Sequence, residues 1–215
     1  MSLLLDTNDL FSVTLRTCLS VNFKEVNLSQ LALYSQFNLR EPYQVSERVD
    51  VLSKQLAEDG IYFRRLPLVA TLPNDSLSEE EILAMYQSQI DTVNKDHHYK
   101  LTDVTSITES DAIAISIRDR YLSEHTHDDD EVRFFLEGSV LLYIHVNQRI
   151  HMLNCTQGDL VIIPAGVKHW LDIGPNPNFS SIRCYNTKEG LINKFTHSCI
   201  AESTPRWESI FNLHH

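Results

Sequence analysis

Four side chains in the middle of this chain have the types and spacing that hold a metal ion: His125, His127, Glu131 and His169. His125 and His127 flank a single threonine, so on an extended strand both imidazoles point to one side, because side chains alternate with period two. Glu131, Arg133 and Phe135 share that parity, so one strand face can carry them all. His169 closes a second run, Gly158-Asp159-Leu160-Val161-Ile162-Ile163-Pro164-Ala165-Gly166-Val167-Lys168-His169, and adds a third nitrogen. Three imidazoles and one carboxylate form a mononuclear set suited to iron or nickel, with two octahedral positions left for substrate. A metal that only holds the fold is the plainer alternative. Structural zinc sites, however, are closed, tetrahedral and usually rich in cysteine. The set therefore reads as the centre of a metal-dependent enzyme, with metal binding without catalysis kept as a separate case.

Such a set needs rigid strands around it. From Ser123 onward the pattern is β: Val140, Leu142, Ile144 and Val146 alternate against Leu141, Tyr143 and His145, and Ile150 and Met152 against His151. Matching the apolar faces pairs Val146 with Ile150, through a three-residue connection Asn147-Gln148-Arg149. His145 and His151 then stand opposite each other, as a cross-strand polar pair rather than a second metal pair. Asp159–Ile163 and Ser180–Tyr185 read as further strands, with Gly174-Pro175-Asn176-Pro177 a loop between them. Many short strands with regularly spaced glycines suggest a jelly-roll barrel with the metal set inside it.

Upstream, Val45, Val49, Leu52 and Leu56 recur at helical spacing, and Gly60 is placed to end that helix. Ile61-Tyr62-Phe63 reads as a short strand and Leu72-Pro73-Asn74-Asp75 as a loop. Ser78 and Glu81 form a capping box, and Ile82, Met85, Tyr86, Ile90 and Val93 make one apolar stripe, read as core packing. Asp96-His97-His98-Tyr99 has no carboxylate at ligand spacing and reads as a solvated loop. In the segment from Asp111 to Leu122, Ala112 to Ile117 alternates like a strand.

At 215 residues the chain is long enough for one sizeable domain, assigned to 31–215, with residues 1–30 an amino-terminal extension of unknown role. The net charge of −11 disfavours nucleic acid or an anionic membrane as partner, since both need a basic footprint. No apolar run of about 20 residues is present, so no membrane span is expected. The opening Met1-Ser2-Leu3-Leu4-Leu5-Asp6 lacks a basic n-region, and a cytoplasmic protein is expected. Cys18, Cys155, Cys184 and Cys199 lie far apart, as reduced and mostly buried thiols would. The closing His214-His215 is assigned no function.

The frame His125-x-His127-x3-Glu131-x6-Gly138 followed by Gly158-x5-Pro164-x-Gly166-x2-His169 matches both cupin motifs. Asp119 stands where a leading glycine is common, and Ile173 where an asparagine is common. Within the cupins, the run Glu124-His-Thr-His-Asp-Asp-Asp-Glu-Val-Arg-Phe-Phe-Leu-Glu-Gly138 resembles the acireductone dioxygenase family. The likeness continues through His169-Trp170-Leu171-Asp172, Pro177-Asn178-Phe179 and Ile182-Arg183, and covers most of the chain from about Leu31 to Arg206.

This resemblance implies a mainly β fold with flanking helices (α+β), a cupin jelly-roll β-barrel, and a helix over 111–122. It implies one Fe(II) or Ni(II) per chain on His125, His127, Glu131 and His169. The substrate of the family is an acireductone with a methylthio tail, and O2 is the co-substrate. With iron the family yields 2-keto-4-methylthiobutyrate and formate; with nickel it yields 3-methylthiopropionate, formate and carbon monoxide. Arg133 and Arg183 match the family's arginines, whose rigid fork suits an anionic, oxygen-rich substrate. Substrate contact is preferred to a wall ion pair for Arg133. Glu124 and Asp129 are the candidate bases, or else orient the histidine ligands. Asp129 stands where glutamate is frequent, Leu171 where phenylalanine is common, and Leu191 where tryptophan is common; the two leucines reshape the tail pocket. A monomer is expected. Another metal-dependent cupin dioxygenase or isomerase, and a non-catalytic ligand-binding cupin, stay open beside this reading.

Overall fold

One sixteen-residue strand, Glu131–Val146, belongs to two sheets at once. The computed structural model describes residues 27–69 and 77–211; most of the expected extension, the loop at Leu72–Asp75 and the closing histidines lie outside them. The strands in chain order are β1 (Gln30–Ser35), β2 (Gln44–Ser46), β3 (Tyr62–Arg65), β4 (Leu101–Thr108), β5 (His125–Thr126), β6 (Glu131–Val146), β7 (Arg149–Thr156), β8 (Asp159–Ile163), β9 (Lys168–Asp172), β10 (Asn178–Tyr185) and β11 (Lys194–Phe195). The helices are α1 (Val49–Ala57), α2 (Glu79–Met85), α3 (Gln87–His97), α4 (Ala114–Tyr121), α5 (Ile200–Ser203) and α6 (Trp207–Ile210).

All pairings between strands are antiparallel. The first half of β6 lies between β8 and β10, in the order β3-β8-β6-β10-β4. Its second half lies between β7 and β9, in the order β2-β1-β7-β6-β9-β5-β11. Among the described residues the hydrogen-bonded network does not close on itself, so the barrel is two facing sheets joined through β6. Gly138 sits at the change of sheet, with φ +69, opposite Phe179 of β10. A Cβ at this position would stand 1.7 Å from the Asn178 carbonyl oxygen, so only glycine lets the two backbones pass.

Three layers of apolar side chains follow from this arrangement. Between the sheets lie Leu31, Phe63, Phe135, Leu142, Leu153, Val161, Leu171 and Phe179, with Leu52 and Leu56 of α1 capping one side. On the outer face of the smaller sheet, Val132, Phe134, Leu160 and Ile182 meet Ile82, Tyr86, Ile90 and Val93 of α2 and α3. On the outer face of the larger sheet, Leu141, Tyr143, Met152 and Trp170 meet Ala201, Trp207 and Ile210 of α5 and α6. Both faces of β6 and β7 are therefore apolar and buried.

That double burial overturns the expected hairpin register. Val146 pairs with Arg149 rather than Ile150, through the two-residue turn Asn147-Gln148. Both turn residues are left-handed, at φ 50 and 62, the geometry that matches the twist of paired strands. His145 stands opposite Ile150, and His151 opposite Ile144, so the two histidines lie on opposite faces and form no pair. Matching apolar faces carries no register information when both faces are covered.

Other local expectations are corrected in smaller ways. Val45 belongs to β2 and is half exposed; the helix begins only at Val49 and ends in a Schellman motif, with Gly60 (φ +78) donating to Ala57 and Ile61 to Leu56. The Ser78–Glu81 capping box is present. Its helix breaks at Tyr86 (φ −101, ψ 15), giving α2 and α3 while the apolar stripe stays continuous. Segment 111–122 carries the helix α4. His97 ends α3 rather than sitting in a loop, and Tyr99 is buried, its hydroxyl donating to Asp130 at 2.8 Å. Cys155 and Cys184 are buried and Cys199 exposed, all with free thiols.

The hairpin turn is tied to α1 through Asp59. Its carboxylate accepts from Asn147 Nδ2 at 2.8 Å, Arg149 Nη2 at 2.8 Å and His151 Nε2 at 2.7 Å. Burial holds the His151 imidazolium below its usual range despite the pull of Asp59.

Two outcomes are expected. Gly138→Ala destabilises the fold by about 3 kcal/mol or more, read as a fall in the denaturation midpoint. For His151, the unfolded chain takes up a proton near pH 6.5 and the folded chain only lower, so its contribution is present above about pH 6.5 and lost as pH falls. Urea titrations between pH 7.5 and 5 should show that decline, and His151→Asn should flatten it.

Candidate metal centre

β5 and β9 lie side by side with His125 directly opposite His169. His127 follows β5 by one residue, its backbone carbonyl accepting from Gly166 at 2.9 Å, and Glu131 opens β6. The ring centroids of the three histidines lie 4.6 to 5.1 Å apart. One donor atom from each of the four residues lies within 4.8 Å of every other, and all four side chains are buried.

The proton positions follow from the backbone. His125 Nδ1 faces the Ser123 carbonyl at 2.7 Å, and His169 Nδ1 faces the Val167 carbonyl at 2.9 Å. A carbonyl only accepts, so each Nδ1 carries the proton and each Nε2 turns a lone pair toward the centre of the group. His169 Nε2 then lies 2.6 Å from Glu131 Oε2, and His127 Nε2 lies 3.1 Å from the same oxygen. Ring nitrogen and carboxylate oxygen come this close only with a proton or a metal cation between them. A single divalent cation meets that requirement for all four residues, so the donor set fits iron or nickel.

Electrostatics favour the metal-ready forms. Burial, and then the nearby His169, push the His125 imidazolium down to about 4, so its ring is neutral at ordinary pH. Burial alone would raise the Glu131 carboxyl. The Arg133 guanidinium outweighs it and holds the group well below the usual carboxylate range. Arg133 Nε donates to Glu131 Oε1 at 2.5 Å, which leaves Oε2 to face the histidines. A second nitrogen of Arg133 reaches Ser181 Oγ at 3.3 Å, and its guanidinium carbon lies 5.9 Å from the centre of the Tyr121 ring.

A narrow cleft of about 40 Å³ opens over His125, His127 and Glu131, walled by Tyr121, Arg133, Leu171, Arg183, Leu191 and Asn193. Arg183 stands opposite Arg133 in the β10–β6 register. Its charge is already met by Asp103, with bonds of 2.8 and 2.6 Å. Leu171 and Leu191 line the cleft, where the sequence expected apolar walls.

The two candidate bases stand elsewhere. Glu124 does not line the cleft; its buried carboxylate accepts from His145 Nδ1 at 2.6 Å and from the Thr196 hydroxyl. Asp129 accepts from the Asn186 amide at 2.7 Å, Asn186 Nδ2 at 2.9 Å and the Thr187 amide at 3.0 Å. Neither carboxylate holds a ligand histidine, since backbone carbonyls orient His125 and His169. Tyr121, Ser181 and Asn193 went unnoticed in the sequence. Tyr121 ends α4 just before the metal strand, a position that parity cannot assign; Ser181 and Asn193 carry no local signal.

A model of the ARD/ARD′ family matches residues 38–193. Acireductone dioxygenase 2 of Pectobacterium atrosepticum is 38% identical over 181 residues, covering 84% of this chain and 99% of that protein. The acireductone dioxygenase of Aquifex aeolicus is 34% identical over 190 residues, covering 86% of this chain and all of the relative. Among solved structures, an acireductone dioxygenase from Bacillus anthracis with a cadmium ion in its active centre superposes with a TM-score of 0.69 at 26% identity, covering 79% of this chain and 99% of that one. With the family model spanning most of the chain and relatives matched over nearly their whole length, the chain belongs to the ARD/ARD′ family.

Proposed function

We propose that the protein is an acireductone dioxygenase that cleaves 1,2-dihydroxy-3-keto-5-methylthiopentene with O2, using one Fe(II) or Ni(II) per chain. The observation that carries this is the convergence of His125, His127, Glu131 and His169 donor atoms within 4.8 Å, at the base of a cleft beside Arg133 and Arg183. A cadmium-bearing relative of the same fold supports a metal at this place. When bound, the ion supplies Lewis acidity that favours the ionised enediol.

The protein side chains divide the remaining work. Ser123 and Val167 fix the tautomers of His125 and His169, and Arg133 fixes Glu131 so that one oxygen faces inward. The Arg133 guanidinium, beside an Arg183 already paired to Asp103, gives the cleft a rigid set of N–H donors that suits an oxygen-rich substrate. Leu171 and Leu191 give the substrate tail an apolar wall. Glu124 and Asp129 enter as carboxylates that hold elements together, so the substrate is taken up as its anion rather than deprotonated by either of them.

The residues from Leu28 to Gln30 bond to Asn154, Thr156 and Asp159, so the proposed cupin unit of 31–215 takes in these few residues as well, and the remainder of 1–30 is an extension. Among the described residues, no helix is long and apolar enough to cross a membrane. The acidic net charge supports action on a small molecule and O2 without nucleic acid or an anionic membrane as partner, in a protein proposed to act in the cytoplasm as a monomer.

Anaerobic reconstitution with iron and nickel separately, followed by oxygen, should give 2-keto-4-methylthiobutyrate with formate from one sample, and 3-methylthiopropionate, formate and carbon monoxide from the other. Absence of oxygen uptake with either metal would rule out the reading. His169→Ala should lose both metal and turnover, measured by metal analysis and an oxygen electrode. Arg133→Ala frees Glu131 to rotate, so metal affinity should fall about 10- to 100-fold in a competition titration.

A further inference from the structure

We infer that Asp129 is a positioning residue: it latches the segment 186–195 across the metal cleft and so sets which substrate tail fits. The tail specificity rests on the acireductone dioxygenase reading; the latch itself does not.

The segment runs from the end of β10 to β11 and sends Leu191 and Asn193 into the cleft. Apolar burial does little to hold it, since Ile192 is 61% exposed and Phe195 42%. Polar ties carry the load instead. Asp129 takes both backbone amides at the start of the turn, Asn186 and Thr187, together with Asn186 Nδ2. At the far end of the turn, Gly190 returns its carbonyl to the amides of Asp128 at 3.0 Å and Asp129 at 3.2 Å. Gly190 packs so closely that an added Cβ would lie 2.7 Å from Asp129 Cβ and 2.9 Å from Thr187 Oγ1. Asp129 also lies between His127 and Glu131 in the chain. The short connection that carries two metal ligands is therefore also the anchor of the cleft wall, and the wall is held in register with the ligands. Both carboxylate oxygens of Asp129 face the turn, so neither serves the cleft.

Asparagine at 129 keeps this latch. Its carbonyl oxygen accepts from both backbone amides, and its NH2 donates to Asn186 once that amide is rotated. A base, in contrast, does not survive the change. The test uses metal-loaded Asp129→Ala, Gly190→Ala and Asp129→Asn proteins. It reads amide hydrogen exchange across 186–195, trypsin cleavage after Lys188, and kcat and KM for the acireductone and for an analogue with a shortened tail. Asp129→Ala and Gly190→Ala should speed exchange about tenfold or more, the scale of losing two or three hydrogen bonds. Their KM for the tailed substrate should rise about tenfold, with less than about threefold change for the shortened analogue. Asp129→Asn should keep slow exchange and the tail preference. Unchanged exchange in both Asp129→Ala and Gly190→Ala overturns the latch. Loss of turnover on both substrates by Asp129→Asn with slow exchange makes Asp129 a base and overturns its positioning role. If the wild-type protein turns over no acireductone, the proposed function fails while exchange and proteolysis still decide the latch.

Discussion

The described strands gather three imidazoles and one carboxylate at a single buried spot. Imidazole nitrogens and a carboxylate oxygen repel one another when gathered in a dry interior unless a cation joins them. The protein opposes that repulsion with backbone carbonyls and one guanidinium. The carbonyls of Ser123 and Val167 take the outward protons of two imidazoles, and Arg133 takes the outward oxygen of Glu131. Each of these partners lies two residues from the ligand it orients, so the local strand geometry itself aims the ligands. The cost of burying charge is met locally rather than by distant elements.

The elements beyond that spot keep the strands from shifting. Asp172, fully buried in β9, accepts from Arg118 of α4 and from the Trp207 amide that opens α6. Asp59 ties α1 to the β6–β7 turn, and Asp129 ties the cleft wall to the ligand connection. A recurring device is thus a single carboxylate that gathers three or four donors from separate parts of the chain. Each is worth more than a surface ion pair because several bonds share one ordered side chain.

The clustering of His125, His127, Glu131 and His169 was legible because ligand chemistry and strand parity constrain it twice over. The same parity also had something to say about Glu124: as the neighbour of His125 on a strand it must face the other way, and it does. Its carboxylate is taken up by His145 and Thr196, partners that no local pattern announces. Asp129 lies outside any strand, so alternation could not place it, and its partners Asn186 and Thr187 are far along the chain. The hairpin register was illegible for a different reason. Helices cover the outer face of the sheet, so β6 and β7 are apolar on both sides, and the deciding feature is the left-handed pair Asn147-Gln148. Tyr99 likewise reads as a loop residue until Asp130 is known to meet its hydroxyl. The ion pair of Arg183 with Asp103 depends on the β10–β4 pairing, which no local pattern announces.

The change of sheet at Gly138 has a mechanical meaning. β6 is the one strand among those described that both sheets share, and its two arms diverge from that glycine. Glu131 lies at the tip of one arm, while His169 and His125 are carried beside Ile144 toward the tip of the other. An ion held by these residues would therefore act as a rivet across the free ends of a hinged clamp. Prying the sheets apart must break that rivet first, so tighter-binding metals should yield a more heat-resistant protein, by the ordinary linkage between ligand affinity and folding.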